Sequence, residues 1–409
     1  MAIPELLAPA GSFACAQSAF DHGADAVYAG LGNFNLRAHS PNFNGEELGE
    51  LLHYSHKSAK RVYLAVNIMP DDQMLRELRL ELLNLQKQGA HPDAFIVSDP
   101  GVMELLKSLF PGCRMHLSTQ TGCFNSQSLA FWKREGISRV VLPRELSLQQ
   151  IRSLNGKRII DTEIFVHGAM CVSLSGRCLL GAYLGRRHPN LGDCPQPCRY
   201  KYHITPLEGK GHEGVSFDAE ESENGVYLLN SKDLCTLELL PQILSSGVSS
   251  LKIEGRNKSA HYVATVVKVY RDAIDSCTDS PAQYSIKPWW TQELDSIEHR
   301  QYTTGFYGEE QLCQDTFSSK AQSGYRLVGT VKEIHESAAV VDVKNSFNSG
   351  ITLNILPVQH KLEPYDINAE QITDLAGNSI ERTPSNRLVK VVCAGVKLRI
   401  GDMLRMKLG

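Results

Sequence analysis

Arg61-Val-Tyr-Leu-Ala-Val-Asn67 is an apolar run that ends in a polar residue. An amphipathic segment, Met74–Lys87, follows it, and Asp93-Ala-Phe-Ile-Val-Ser98 then repeats the first pattern. Continuous apolar runs rich in β-branched residues read as strands buried on both faces, as in parallel sheets covered by helices. The same unit recurs in both directions. Pro4–Pro9 and Ala24–Gly30 precede it, and Arg114–Ser118, Arg139–Pro143, Glu163–His167 and Ser249–Glu254 follow. Glu46–Ser58 and Ser126–Glu135 are further amphipathic segments, and many such segments end at Gly or Pro. Eight buried strands alternating with helices predict an α/β fold, a (β/α)8 TIM-like barrel. A doubly wound open sheet is the alternative. The eighth strand comes late, after an insertion at about 168–248. Residues 1–277 are therefore expected to form the barrel with its insertion, and 278–324 a helical or linker segment.

Beyond that segment the pattern changes. Tyr325–Val331, Ala338–Val343, Thr352–Leu356, Arg387–Val392 and Met403–Met406 read as short strands separated by turn residues. Leu398-Arg-Ile-Gly-Asp-Met403 has the look of a closing strand. Residues 325–409 are expected to form a small β-barrel domain, of a kind that binds RNA or a partner or buttresses its neighbour.

With 42% hydrophobic and 21% charged residues, the 409-residue chain is typical of a soluble globular protein. Met1-Ala-Ile-Pro-Glu-Leu-Leu7 lacks a basic stretch followed by an apolar core, so no signal peptide is expected. No apolar run approaches the ~18 residues of a membrane span, so no membrane association is expected. Eleven cysteines, an odd number, suit a reducing cytoplasm with thiols as ligands, and not a disulfide scaffold. A net charge of −3 means that nucleic acid would have to meet a local basic patch.

Four cysteines, Cys171, Cys178, Cys194 and Cys198, crowd into the insertion with the spacing C-x6-C-x15-C-x3-C. Four soft ligands suit an iron–sulfur cluster or zinc, and the spacing favours neither. Around them stand Arg177, Arg186, Arg187 and Arg199, cations that can offset a cluster's charge or grip phosphate. The predicted strand ends carry Asn67, Ser98, Asp99, Ser118, Gln120, Arg144, Glu145, His167, Lys252, Glu254 and Arg256. In barrels the chemistry gathers at these ends, which makes His167, Lys252 and Glu254 the candidate catalytic groups. Arg144-Glu145 could equally be an internal ion pair, and Asp99-Pro-Gly101 a helix cap. Other chemistry is missing. There is no H-E-x-x-H, no G-x-S-x-G, no Walker A loop and no C-x3-C-x2-C.

Six blocks, in order, resemble the collagenase-like peptidase family U32. They are Glu5-Leu-Leu-Ala-Pro-Ala-Gly11, Gly23-Ala-Asp-Ala-Val-Tyr-Ala-Gly30, Phe165-Val-His-Gly-Ala-Met-Cys171, Ser175-Gly-Arg-Cys178, Asn230-Ser-Lys-Asp-Leu234 and Leu251-Lys-Ile-Glu-Gly-Arg256. The likeness runs from residue 3 to about 308 and is greatest to the branch that modifies tRNA. It implies an enzyme that hydroxylates carbon 5 of the wobble uridine, without oxygen and with prephenate as co-substrate. Related members hydroxylate a ribosomal RNA cytidine or a quinone precursor. It also implies a 4Fe-4S cluster on Cys171, Cys178 and Cys194, loaded by the iron–sulfur assembly machinery. Cys198 is the preferred fourth ligand, from the Cys-x3-Cys-Arg motif, and Cys235 is the other candidate. The peptidase name fits poorly, since no protease constellation is present.

A base must be unstacked before its carbon 5 is reached, so the partner is a tRNA anticodon loop with the base splayed out. Arg37, Asn67, Arg144, Arg177 and Arg256 are candidates to hold the co-substrate, because guanidinium pairs with carboxylate in bidentate fashion. Arg186-Arg187-His188 and Arg199-Tyr-Lys-Tyr202, with Lys201, are candidates for RNA contact. A peptidase and a zinc-stabilised, non-catalytic RNA-binding protein stand as alternatives.

Overall fold

A computed structural model describes residues 3–202, 229–308, 323–335, 338–392 and 398–408. Seven parallel strands follow one another: β1 (Glu5–Pro9), β2 (Ala26–Gly30), β3 (Arg61–Val66), β4 (Ala94–Val97), β5 (Met115–Leu117), β6 (Arg139–Val141) and β7 (Asp161–Ala169). After a short β8 (Asp233–Cys235), β9 (Ser250–Ile253) pairs in parallel with both β1 and β7. That double pairing closes an eight-stranded barrel and excludes the open sheet. The eight strands are those expected, each within three residues of its predicted bounds.

Helices α1 (Phe13–Asp21), α2 (Gly45–Lys57), α3 (Asp72–Lys87), α4 (Pro100–Leu109), α5 (Ser126–Arg134) and α6 (Leu148–Asn155) fill the connections. Their starts are local chemistry. Asn44 and Glu47 form a capping box on α2, and Ser147 and Gln150 form one on α6. Asp99 caps α4, its carboxylate accepting from the Val102 amide at 3.0 Å. The bland reading of Asp99-Pro-Gly101 is therefore the observed one. Apolar helix faces and the outer faces of the strands share one core, including Leu6, Leu64, Val97 and Leu251.

The inside of the barrel is filled differently. Leu7, Ala26, Tyr28, Tyr63, Ala65, Ala94 and Ile96 form an apolar cluster. Below them Glu5 accepts from Tyr63 Oη at 2.6 Å and Arg139 at 2.6 Å, and Glu163 accepts from Lys252 at 2.9 Å. These buried charges are paired, as their desolvation requires.

The insertion leaves the C-terminal end of β7, and α7 (Leu180–Gly185) is its helix. It returns through β8, which pairs antiparallel with the end of β7. After α8 (Leu240–Ser245) and β9, the long α9 (Ala260–Asp279) lies against α1. Then α10 (Pro288–Asp295) and β10 (Tyr302–Thr303) pack on the barrel. Trp290 of α10 is fully buried and donates to Asp272 at 2.9 Å, and Tyr307 donates to the Phe165 carbonyl at 2.9 Å.

The C-terminal domain is a seven-stranded antiparallel half-barrel. Its strands are β11 (Tyr325–Ile334), β12 (Ala338–Val343), β13 (Thr352–Leu356), β14 (Tyr365–Asn368), β15 (Gln371–Thr373), β16 (Leu388–Val392) and β17 (Met403–Lys407), in the order β14-β13-β17-β11-β12-β16-β15. Leu398–Asp402 is a turn before β17 and not part of a strand. Asp402 holds it, accepting from the amides of Val358 and Arg399 at 2.8 Å each. The domain docks on α9 and α10. Arg405 is fully buried there and donates to Glu293 at 2.9 Å, while Leu356 and Met403 pack on Ala264.

Candidate active site

The C-terminal ends of the barrel strands and the insertion enclose one cavity of about 170 Å³. Its lining gathers Arg37, Asn67, Arg144, Lys252, Glu254 and Arg256 from the barrel with Cys171, Cys178, Cys194 and Cys198 from the insertion. The parity of β9 explains part of this. Lys252 and Glu254 are two residues apart, so both point inward.

Glu254 is the hub of the charged wall. It accepts from Arg37 at 3.0 Å and from Tyr28 Oη at 3.2 Å, and Arg144 lies 4.0 Å away. Burial pushes its carboxyl up, but Arg37, Arg144 and Lys252 outweigh this and hold it below the usual range. Arg144 also stacks on Phe165, 3.8 Å from the ring centroid, and donates to the Ala169 carbonyl at 2.7 Å. Arg256 is buried beside Asn42, and burial pushes its guanidinium down to about 10. Lys252 is already matched by Glu163, which leaves three guanidiniums and two carboxylates, Glu254 and Glu145, on the lining. The wall is therefore cationic on balance and suits an anion. Asn67 is fixed by donating to Ser118 Oγ at 3.2 Å.

The four thiols face the same space. Burial raises Cys194 and Cys198 above the ordinary thiol, opposed by Arg37 at Cys194 and by Arg199 at Cys198, and each also feels Cys171 and Cys178. Among the described residues, no three His, Cys, Asp or Glu side chains are already closed around a common point. The donor set nevertheless suits a thiophilic centre, because four thiols and no imidazole line the cavity. Metal binding would displace the thiol protons that burial retains.

Several contacts hold the insertion over the mouth. Glu145 accepts from the Ser175 hydroxyl at 3.0 Å, so it is not paired with Arg144. Asn190 brackets Cys178, accepting from its amide at 3.4 Å and donating to its carbonyl at 3.3 Å. A Cβ at Gly192 would meet the Asn35 carbonyl oxygen at 2.3 Å, so the insertion touches the loop after β2 backbone to backbone.

Comparison with known proteins matches residues 11–316 to the sequence model of peptidase family U32. The chain belongs to peptidase family U32. Residues 323–405 match the U32 C-terminal domain. The tRNA hydroxylation protein P1 of Bacillus subtilis is 36% identical over 382 residues, covering 92% of this chain and 89% of that one. The tRNA hydroxylation protein P of Escherichia coli is 34% identical over 427 residues, covering 94% and 92%. The 23S rRNA 5-hydroxycytidine synthase of Escherichia coli is 29% identical over 389 residues, covering 94% of this chain and 55% of that protein.

Not every predicted site residue of this U32 protein reaches the cavity. His167 lies behind β7, fully buried among Tyr262, Tyr270 and Tyr302. Alternation from Glu163 and Phe165 would point it inward, but a register shift against β9 between Phe165 and His167 turns it out. Burial holds its imidazole down to about 3, and neither ring nitrogen has a partner. The expected catalytic role for His167 has no support in this placement. Cys235 is also outside the cavity, on β8 beside Tyr270, where burial pushes it up to about 11.

The expected RNA contacts divide. Arg199 is consumed internally, donating to Asn230 at 2.7 Å and to the carbonyls of Ser231 and Met170 at 2.8 Å. It buttresses the insertion, with both terminal nitrogens engaged inside the fold. Arg187 pairs with Asp193. Arg186 and Lys201 are exposed, and so is Arg177, an expected co-substrate contact that is not among the residues that line the cavity. The sequence reading missed Tyr28, Asn35, Phe165 and Phe306 as lining groups. Tyr28 and Phe165 sit inside apolar runs, where nothing marks an inward ring as functional.

Proposed function

We propose that this U32 protein hydroxylates RNA, at carbon 5 of the wobble uridine in a tRNA anticodon loop, without oxygen and with prephenate as co-substrate. The observation that carries this reading is the convergence of four cysteines and three arginines on one cavity at the barrel mouth. The similarity to two tRNA hydroxylation proteins supports the choice of substrate. Cys171, Cys178, Cys194 and Cys198 would hold a 4Fe-4S cluster, which supplies electron transfer or an iron site beside the substrate. The rest falls to the chain itself. Arg37, Arg144 and Arg256 bind the two carboxylates of the co-substrate. Glu254 fixes the angle of Arg37 and, through charge, of Arg144. Asn67, held by Ser118, presents an amide to a polar edge. Lys252 stays matched by Glu163 and positions Glu254, two residues along β9. Phe165 and Tyr28 wall off water. We place the activity in the cytoplasm, where tRNA and reduced thiols coexist.

A peptidase reading gains nothing from the site. No histidine lines the cavity among the described residues, so a cysteine or serine nucleophile lacks its usual base. The test is mass spectrometry of tRNA nucleosides from a deletion strain and its complemented partner. Loss and restoration of 5-hydroxyuridine derivatives is the expected result. Unchanged nucleosides in cells lacking any oxygen-dependent counterpart would defeat the proposal and shift weight to ribosomal RNA or a quinone precursor.

A further inference from the structure

The outer face of the cysteine insertion is apolar where a surface should be polar. Tyr183 is 82% exposed, Leu179 62% and Leu184 56%, and Leu174 and Tyr200 are also exposed. Leu179, Tyr183 and Leu184 sit on α7 or at its start, and Tyr200 joins them through Pro195. Pro195 packs against Gly181 and Gly185 of α7, and Tyr200 donates to the Pro195 carbonyl at 3.1 Å. An apolar patch rimmed by polar groups marks an interaction site. Charge identifies the partner. Within 170–202 there is one acidic residue, Asp193, against Arg177, Arg186, Arg187, Arg199 and Lys201, so the excess of cations is local to this part of the insertion and is not shared by 203–228, which carries six acidic residues. Asp193 is already engaged by Arg187 and His39. Arg177 and Arg186 have no carboxylate partner among the described residues. A greasy protein partner would not require this excess of cations, whereas a single-stranded polyanion with flat bases fits both features.

We infer that the α7 platform is the seat of the RNA loop, with the Tyr183 ring stacking on an unpaired base and Arg186 and Arg177 on the flanking phosphates. Tyr183 is three residues from Leu180, which lines the cavity, so the two are neighbours on the surface of α7 and the platform borders the cavity wall. A loop seated on the platform lies beside the mouth into which one base would be splayed. This inference rests on the RNA reading above. It keeps Arg186 from the expected RNA contacts, leaves out Arg199, which is engaged within the fold, and moves Arg177 from the co-substrate to phosphate.

The test is titration of a fluorescent RNA stem–loop against full-length protein, purified anaerobically, at several salt concentrations. Tyr183→Ala should weaken binding about 10-fold, within the range of one lost stack. Tyr183→Phe should keep it, since the ring is what matters. Arg186→Ala should reduce the slope of log K against log salt by about 0.7, the single-strand value for one phosphate. Phe131→Ala and Arg134→Ala on α5, an exposed aromatic with its own cation, are matched controls that should change nothing. Thermal melts confirm that each variant is folded. Wild-type binding that the α7 and α5 variants alter equally little would overturn the inference and leave the RNA reading standing. Equal affinity for the stem without its loop would also overturn it. Absence of wild-type binding to any RNA would sink both.

Discussion

Glu254 decides how the cationic wall is arranged. Arg37 and Arg144 are long side chains, and the buried carboxylate draws them together, with Arg144 held further by the Phe165 ring and the Ala169 carbonyl. Glu254→Gln keeps the shape and removes the charge. Turnover should fall by about 100-fold, the scale of a misplacement of ~1 Å, with a smaller change in KM for the anionic co-substrate. Equal losses in kcat and in co-substrate affinity would instead make Glu254 a plain binding group. The cysteines allow a sharper comparison. Cys198 shares the cavity with Cys171, Cys178 and Cys194, whereas Cys235 sits behind β7 against Tyr270. Cys198→Ser should therefore lose most of its iron and sulfide, and Cys235→Ser should keep both. The reverse result would exclude Cys198 as the fourth ligand.

Among the elements, β7 shows where sequence reading succeeds and where it stops. Its apolar run, the polar strand ends and the cysteine cluster were all legible, because each is a pattern of residue types along the chain. The shift between Phe165 and His167 was not, because it depends on pairing with β9, about 90 residues away. Arg199 failed for the same reason, since its partners Asn230 and Ser231 lie about 30 residues further along the insertion. In the half-barrel, β14 and β15 escaped notice because Tyr365-Asp-Ile-Asn368 and Gln371-Ile-Thr373 carry few apolar residues. Gly168 ties β7 to the site. Its φ is +102°, and a Cβ would meet the Glu254 carbonyl oxygen at 2.3 Å. Gly168→Ala should separate the strand ends and displace Glu254, with a stability loss of roughly 1–3 kcal/mol from backbone strain. Urea unfolding measures the loss. A variant as stable and as active as wild type would show that the β7–β9 contact is not this tight.

The whole molecule carries a consequence of burying imidazoles. Burial holds His22, His116, His167 and His261 each down to about 3, with His22 and His261 close enough to act on one another. Unfolded, they would titrate near 6.5. As pH falls below 6.5, the unfolded chain takes up protons that the folded chain refuses, so stability is full above 6.5 and drains toward pH 3. At pH 5 the loss is about 2 kcal/mol for each imidazole. Four together approach the ~5–15 kcal/mol that holds a typical protein folded. Glu163 acts in the same direction lower down. Burial alone would raise it, but Lys252 and Arg139 hold it at about 2, so its contribution is lost from about 4.5 downward. The urea midpoint should fall most steeply between pH 6.5 and 5. A midpoint unchanged across that range would mean that these histidines are not buried as neutral rings. His167→Phe refines the test, since its ring packs among Tyr262, Tyr270 and Tyr302 and makes no hydrogen bond. The substitution should leave the pH 8 midpoint nearly unchanged and reduce proton uptake on unfolding at pH 5 by about one. It should also leave turnover intact, because the ring faces away from the cavity. A large loss of turnover in a variant that is otherwise stable would return His167 to the chemistry from which the strand register has removed it.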